Sequence, residues 1–318
     1  MMKIKDWRKN LESKIKAEPE LNTWKGHLEL RLPELQQILE LANLQPSETV
    51  LELGCGNGLS AAFYSPFASK IIATDLPHED HAKHAIGLEK AKRLISKLGV
   101  TNVEVMPADA QELPFENNTF DVVIHMFTLE HVPDKEKALR EALRVLKPNG
   151  RLIMALPGSG WSLFYPIGFY TELGSRVLGR LKRKLMKSNR TEMNTRPEDT
   201  DQGEAPAAHL VTDWKSFRKV YPHFPIPKPH GEYQNYFEEI YEWQPHRWEE
   251  LVRRSGFQPI TMRVLSVLPR APFCLTLGKV NGIRLHNRLG QLDRKLSSLR
   301  NLRNLSQGIY LEAVKGDI

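Results

Sequence analysis

A chain of 318 residues with 41% hydrophobic and 26% charged side chains has the composition of a globular protein, long enough for one large domain or for a core with an elaborated second part. Two cysteines, Cys55 and Cys274, exclude a disulfide-built scaffold, no apolar run approaches the ~20 residues of a spanning helix, and the charged N-terminus lacks the apolar stretch of a signal peptide, so a reducing, cytoplasmic setting is expected. The net charge of +7 is unevenly placed: residues 1–150 carry −3 and residues 151–318 carry +10, which suits an anionic partner, a nucleic acid, a membrane surface or simply a solvated basic face.

Residues 1–30 read as a polar helical extension with Trp7 and Trp24 as packing points. Leu32, Leu35, Ile38, Leu39, Leu41 and Ala42 recur at helical spacing and place a helix over 32–44. Apolar runs then predict strands at 49–53, 69–75, 102–106, 120–125 and 151–156, separated by helices at 59–66, 80–98 and 134–146. The last of these helices is expected to stop in the turn Lys147-Pro148-Asn149-Gly150. Alternation of this kind argues for a parallel sheet with helices on both faces, with ligands bound beyond the carboxyl ends of the strands.

Past residue 157 the rhythm breaks. Trp161, Phe164, Tyr165, Phe169 and Tyr170 are followed by Arg176, Arg180, Lys182, Arg183, Lys184 and Lys187, and 188–207 is polar. The αβ pattern returns with a helix around 248–252, a stop at Ser255-Gly256, a strand over 258–267, a leucine seam over 283–305 and a last strand at 309–314. The expected organisation is a helical extension (1–30), a ligand-binding core (31–157), an irregular helical insertion covering the substrate (158–245) and a C-terminal part completing the sheet (246–318).

The most informative stretch is Val50-Leu51-Glu52-Leu53-Gly54-Cys55-Gly56-Asn57-Gly58. Glycines at 54, 56 and 58 let backbone amides come close to a ligand. The dinucleotide spacing G-x-G-x-x-G would need glycine at 59, where Leu59 stands. A carboxylate two residues before the first glycine suits a cationic ligand better than a pyrophosphate, and S-adenosylmethionine carries both a sulfonium and an ammonium.

This run resembles the first motif of class I S-adenosylmethionine-dependent methyltransferases, and the likeness continues in order over residues 48–157. Asp75 closes strand two, Ala108-Asp109-Ala110-Gln111 follows strand three, and Leu113-Pro114-Phe115, Phe120-Asp121-Val122-Val123, Leu129-Glu130-His131-Val132 and Leu146-Lys147-Pro148-Asn149-Gly150 complete the set. The branch resembled is the ubiquinone/menaquinone-biosynthesis-like, type 11 one. The resemblance implies a doubly wound, mostly parallel seven-stranded Rossmann-like sheet and S-adenosylmethionine as cofactor. It further implies that Glu52, Gly54, Gly56 and Gly58 hold the cofactor, that Asp75 accepts from its ribose hydroxyls, and that Asp109 and Ala110 meet its adenine. His125, ending strand four, is placed beside the methionine moiety. Asp121 matches a motif position, yet an acid opening a strand equally serves to cap or pair.

A sulfonium methyl is already activated, so such an enzyme mainly aligns a nucleophile and excludes water, helped by a base where the acceptor carries a proton. The base candidates are His230 in the irregular aromatic region, His125, and His131 beside Glu130. No metal is expected. The expected function is methyl transfer to a small-molecule acceptor, oxygen before nitrogen, of a lipid-linked or glycan type, with a peripheral membrane contact through 161–187. The alternatives are an RNA methyltransferase of the tRNA-uridine type and a non-catalytic cofactor-binding scaffold.

Overall fold

The computed structural model of the chain describes residues 3–18, 25–76, 86–164, 166, 228–268 and 289–316. In chain order the strands are β1 Thr49–Leu53, β2 Lys70–Asp75, β3 Val103–Pro107, β4 Phe120–Met126, β5 Leu146–Pro157, β6 Phe257–Ser266 and β7 Gly308–Lys315. The helices are α1 Ile4–Ala17, α2 Lys25–Ala42, α3 Leu59–Tyr64, α4 Ile86–Lys97, α5 Lys135–Val145, α6 Tyr236–Glu242 and α7 Pro245–Arg254, with further helical residues at 159–164 and 289–297.

The strands form one seven-stranded sheet in the order β3-β2-β1-β4-β5-β7-β6. Strands β1 to β5 pair in parallel, while β7 runs antiparallel to both β5 and β6. This is the doubly wound, mostly parallel α/β architecture the sequence implied. The strand order reverses between β1 and β4, and the crevice beyond their carboxyl ends is where such sheets take ligands.

Side-chain alternation sorts the strands into two apolar layers. Val50, Ile71, Ile124 and Ile153 pack with α1 to α4 on one face. Leu51, Leu53, Val123, Leu152 and Met154 pack with α5 and α7 on the other. In α5 the buried residues Ala138, Leu139, Ala142 and Val145 follow helical spacing, and the Asp134 carboxylate accepts from the Lys137 amide at 2.9 Å to cap the start. The N-terminal extension belongs to this core. Trp7, Leu11 and Ile15 are buried along one side of α1, and the Trp7 indole donates to the Phe63 carbonyl at 2.9 Å.

Three elements differ from the sequence expectation. Helix α2 begins at Lys25 rather than at 32, so the expected boundary at residue 30 falls inside it. Strand β5 begins at Leu146, immediately after α5, rather than at 151. Phe120 pairs with Leu146 and Val122 with Arg151, so residues 147–150 bulge out of the strand, with Asn149 at φ 62°. A run of lysine, proline, asparagine and glycine reads as a turn, and here it is a turn inside a strand. The leucine seam does not form one helix to 305. Residues 283–288 lie outside the described residues, the helix at 289–297 ends, Leu299 is extended, and a 3₁₀ turn covers Arg300–Leu305. Leu292 and Leu299 are exposed; the buried anchor is Asp293, whose carboxylate accepts from the amides of Val267 and Leu268 at 2.8 Å each. A polar staple to the end of β6 takes the place of an apolar seam.

Asp121 is a structural residue. Its carboxylate accepts from the Thr49 amide at 2.9 Å and from the Lys147 ammonium at 2.8 Å, joining β1, β4 and the bulge. Burial pushes its pKa up, but the bonds from Lys147 and Thr49 prevail and hold it below the ordinary carboxylate range. Asp121→Ala is expected to cost about 1–2 kcal/mol at neutral pH by urea unfolding. Because a depressed pKa contributes stability above the unfolded value and loses it as pH falls, the difference between the two proteins should narrow below about pH 4. A difference that stayed constant down to pH 3 would refute this role.

Candidate active site

The glycine run turns sharply where β1 ends. Gly54, Gly56 and Gly58 have φ of 72°, 51° and 78°, a region that side chains rarely adopt. A Cβ on Gly54 would lie 2.0 Å from the Thr128 methyl, and one on Gly58 would lie 2.9 Å from Ala91, so the loop is wedged between the end of β4 and α4. A Cβ on Gly56 would meet nothing within 4 Å. The loop is tied to β2 by Cys55 N–H to Thr74 O and closed internally by Gly58 N–H to Cys55 O, each 2.8 Å, and Thr128 Oγ1 donates to the Gly54 carbonyl at 3.2 Å.

Two acids frame this loop. Glu52 is fully buried in β1; one carboxylate oxygen accepts from the Ser60 hydroxyl of α3, and the other has no hydrogen-bond partner. Burial pushes its pKa up to about 7, opposed by the Ser60 bond and reinforced by the charge of Asp75. Asp75 ends β2 and accepts from the Gly56 amide at 2.7 Å and the Leu76 amide at 2.8 Å. A carboxylate offers about four lone-pair sites, so Asp75 retains capacity for two hydroxyl donors. The Ala108 amide bonds the Asp75 carbonyl at 2.9 Å, which brings Asp109 and Ala110 to the same rim. Asp109 is held by Gln111, through its amide at 2.8 Å and its side chain at 3.2 Å, and Gln111 in turn accepts from the Asp134 amide at 3.1 Å. The sequence motif contained Gln111 but gave no sign of this orienting role.

His125 lies between Leu53 of β1 and Met154 of β5, fully buried, with neither ring nitrogen hydrogen-bonded. Burial alone pushes its pKa down to about 4, so the ring is neutral near pH 7. No hydrogen bond joins it to the other histidines.

His131 and His230, 99 residues apart in the chain, are brought together with ring centroids 4.9 Å apart. The His230 residue is exposed, yet its ring is hemmed in by Trp161 at 4.7 Å and Trp243 at 6.3 Å. Loss of water around the ring, then the nearby His131 and Arg31, push its pKa down to about 4. The pair adjoins the glycine loop, because the His131 amide bonds the carbonyl of the same Thr128 that braces Gly54. Glu239 of α6 holds the loop that carries His230 in place: it accepts from the amides of His230 and Gly231 and, at 2.6 Å, from the Ser162 hydroxyl. Sequence reasoning passed over Glu130. Its side chain is buried, one oxygen has no partner and the other lies 4.0 Å from His131 Nε2. Burial pushes its pKa up to about 8, with Arg31 and Lys135 opposing. Only its place beside His131 in the motif could have drawn attention to it.

Among the described residues no group of three or more His, Cys, Asp or Glu side chains is arranged to hold a metal ion, and no helix is long and apolar enough to cross a membrane. The basic stretch expected to meet a membrane, from Arg176 to Lys187, lies outside the described residues.

The strand order and the acid-framed glycine loop are those that the resemblance to class I S-adenosylmethionine-dependent methyltransferases implied. Residues 51–154 match the family described as a methyltransferase domain, type 11. The ubiquinone/menaquinone biosynthesis C-methyltransferase UbiE of Klebsiella pneumoniae subsp. pneumoniae is 37% identical over 117 residues, 36% of this chain and 45% of that protein. The UbiE of Escherichia coli O1:K1 is 37% identical over 116 residues with the same coverage. The chain thus spans about half the length of the curated relatives it matches. Among solved structures, a geranyl diphosphate C-methyltransferase from Streptomyces coelicolor A3(2) superposes with a TM-score of 0.50 at 13% identity, over 92% of this chain and 83% of that one. The cyclase SpnF does so at 0.50 and 17% identity, over 92% and 83%. These two likenesses are of fold.

Two expectations test the geometry. Gly54→Ala must displace Thr128 as well as strain the backbone and should lose about 2–4 kcal/mol in thermal or urea unfolding, whereas Gly56→Ala, with open space for its methyl, should lose about 1 kcal/mol. Equal losses would refute the wedge. For His125, a folded pKa below the unfolded value means that the unfolded chain binds the extra proton between about pH 4 and 6.5, so stability rises with pH across that window. His125→Leu should therefore gain on the wild type as pH falls from 6.5 to 4.5. A pH-independent difference in urea midpoint would show that the ring is solvated.

Proposed function

We propose that this protein transfers the methyl group of S-adenosylmethionine to a small-molecule acceptor that loses a proton as it is methylated. The fold alone does not carry this, since a cyclase shares it. The observation that carries it is the cradle at the end of β1: a buried Glu52 with an unpartnered oxygen, facing a loop of positive-φ glycines with open space over Gly56 and closed by Asp75. These groups fit a cation with an adenosine body. Glu52, Gly54, Gly56 and Gly58 would hold the amino-acid end, Asp75 the ribose hydroxyls, Asp109 and Ala110 the adenine, with His125 beside the methionine end.

When bound, S-adenosylmethionine supplies a methyl group already activated on a sulfonium. What remains for the protein is to place the acceptor, exclude water and receive a proton. His131, His230 and Trp161 form the aromatic wall best suited to the acceptor, next to Thr128 and the loop it braces. His230 keeps a free lone pair across the physiological range because its pKa is low, and Glu130, near 8, exchanges a proton close to neutral pH. The acceptor atom is oxygen on the reading of these residues. The names of the UbiE relatives point to carbon, and an acidic C–H would deliver its proton to the same groups; the matched 117 residues are those of the cofactor core. The basic-aromatic sequence of 161–187 supports an amphiphilic or anionic acceptor, lipid-linked or glycan-type, met at a membrane surface. The basic C-terminal half keeps RNA as the competing acceptor.

Asp75→Ala and Gly56→Ala are each expected to weaken S-adenosylmethionine binding at least tenfold, about 1.4 kcal/mol, in calorimetry on folded protein. Unchanged affinity would overturn the cofactor site. For the reaction, a deuterated methyl supplied as S-adenosylmethionine to a native extract with the protein added should appear by mass spectrometry in the lipid or polar-metabolite fraction. Label confined to RNA would replace the small-molecule reading, and tight binding with no label in any fraction would leave a scaffold.

A further inference from the structure

We infer that Glu52 carries a proton in the ligand-free protein and releases it when a cationic ligand enters, with Ser60 as the positioning residue that turns one carboxylate oxygen away and leaves the other for the ligand. The inference rests on the cofactor reading above and adds a proton to its binding equilibrium.

Glu52 has no solvent exposure, and its register neighbours on either side are Ala73 and Ile124, neither of which can hydrogen-bond through its side chain. A buried carboxylate persists as an anion only with a cation or several donors around it. Glu52 has one donor, the Ser60 hydroxyl from α3, and its second oxygen has none. Among the described residues, the titratable groups facing it from the surrounding elements are Asp75 of β2, Cys55 of the loop and Tyr64 of α3. Asp75 repels a second negative charge. The Cys55 thiol and Tyr64 hydroxyl are pushed far up by burial first and by Glu52 second, so both stay neutral and offer no compensating charge. Among the described residues, the groups that act on Glu52 include no cation. The same balance sets its pKa to about 7, far above the ordinary carboxylate range.

A ligand bearing an ammonium or sulfonium supplies the missing cation. The carboxyl O–H bond then breaks, the proton leaves to solvent and the carboxylate pairs with the ligand; no covalent bond to the ligand forms and nothing is oxidised. A neutral ligand of the same shape would leave the proton in place. The site thereby selects for charge as well as for shape.

Linkage fixes the sign. Below pH 7 each bound ligand must displace a proton, so affinity should rise with pH and level off once Glu52 is ionised in the free protein. Titration calorimetry with S-adenosylmethionine on the whole chain at pH 6.5, in phosphate and in Tris, reads the proton directly from the difference in apparent enthalpy. Release of roughly 0.7 proton per site is expected, together with an affinity rise of roughly 20-fold from pH 5.5 to 7.5. Glu52→Gln should bind more weakly, with neither proton release nor a rise over that range. Ser60→Ala should move the rise to higher pH, a shift that a merely structural residue would not produce. Tight binding by the wild type with no proton released and a flat profile would overturn the proposal without touching the cofactor assignment. Absence of any binding at pH 7.5 would overturn that assignment, and the proposal with it.

Discussion

Thr128 stands where a side chain on residue 54 would have to be, and the whole ligand end of the sheet is organised around that exclusion. A bare backbone at Gly54 lets β4 and its following turn close against the end of β1, and the Thr128 hydroxyl then ties the two together through the Gly54 carbonyl. On the far side Gly58 packs on Ala91 of α4, and Gly87 at the start of α4 sits against the Gly56 carbonyl. The loop is therefore clamped between α4 and the turn after β4 and cannot collapse into its own crevice. With the backbone fixed, Glu52 and Asp75 are fixed too, since one precedes the loop on β1 and the other is bonded to its central amide. The same turn after β4 carries His131 up to His230, so the two halves of the site share one brace.

Burial governs the electrostatics of this region more than charge pairing does. Glu52, Glu130, His125 and His230 are each shifted toward their neutral forms with desolvation as the leading cause. Elsewhere in the fold carboxylates are paired in the usual manner, as with Arg151, which bonds Glu48 at 2.7 Å and Glu312 at 3.3 Å while donating to the Ala42 carbonyl. Neutral polar groups gathered next to a glycine cradle suit a reaction in which the incoming molecule brings the charge and its removal consumes it.

The sheet was readable from the chain because its parallel strands contain short apolar runs that alternate with helical spacing, and such alternation leaves few alternatives. The bulge at 147–150 was not, since a turn in the middle of a strand is defined by its partner, here Asp121 reaching Lys147. The helix at 289–297 misled for a related reason. Leucines at heptad-like spacing promise an apolar seam, but among the described residues the buried group that ties that helix to β6 is the carboxylate of Asp293. In the site, Glu52, the glycines and Asp75 lie within 24 residues and announce themselves by spacing. Ser60, Gln111, Glu130 and Glu239 act through bonds that only the folded chain creates, and the approach of His131 to His230 depends on Glu239 gripping the backbone at 230 and 231.

The position of β7 bears on how the chain reaches this state. Residues 308–315 follow every other strand of the sheet in chain order, yet they fill an interior place in it, between β5 and β6. Until they leave the ribosome, β5 has a bare edge and β6 has nothing to pair with, although Leu152, Met154 and Leu156 already present apolar side chains there. The nascent protein must therefore hold a half-built sheet with an adhesive margin while the roughly 150 residues between β5 and β7 are synthesised, and it is sealed only when β7 arrives.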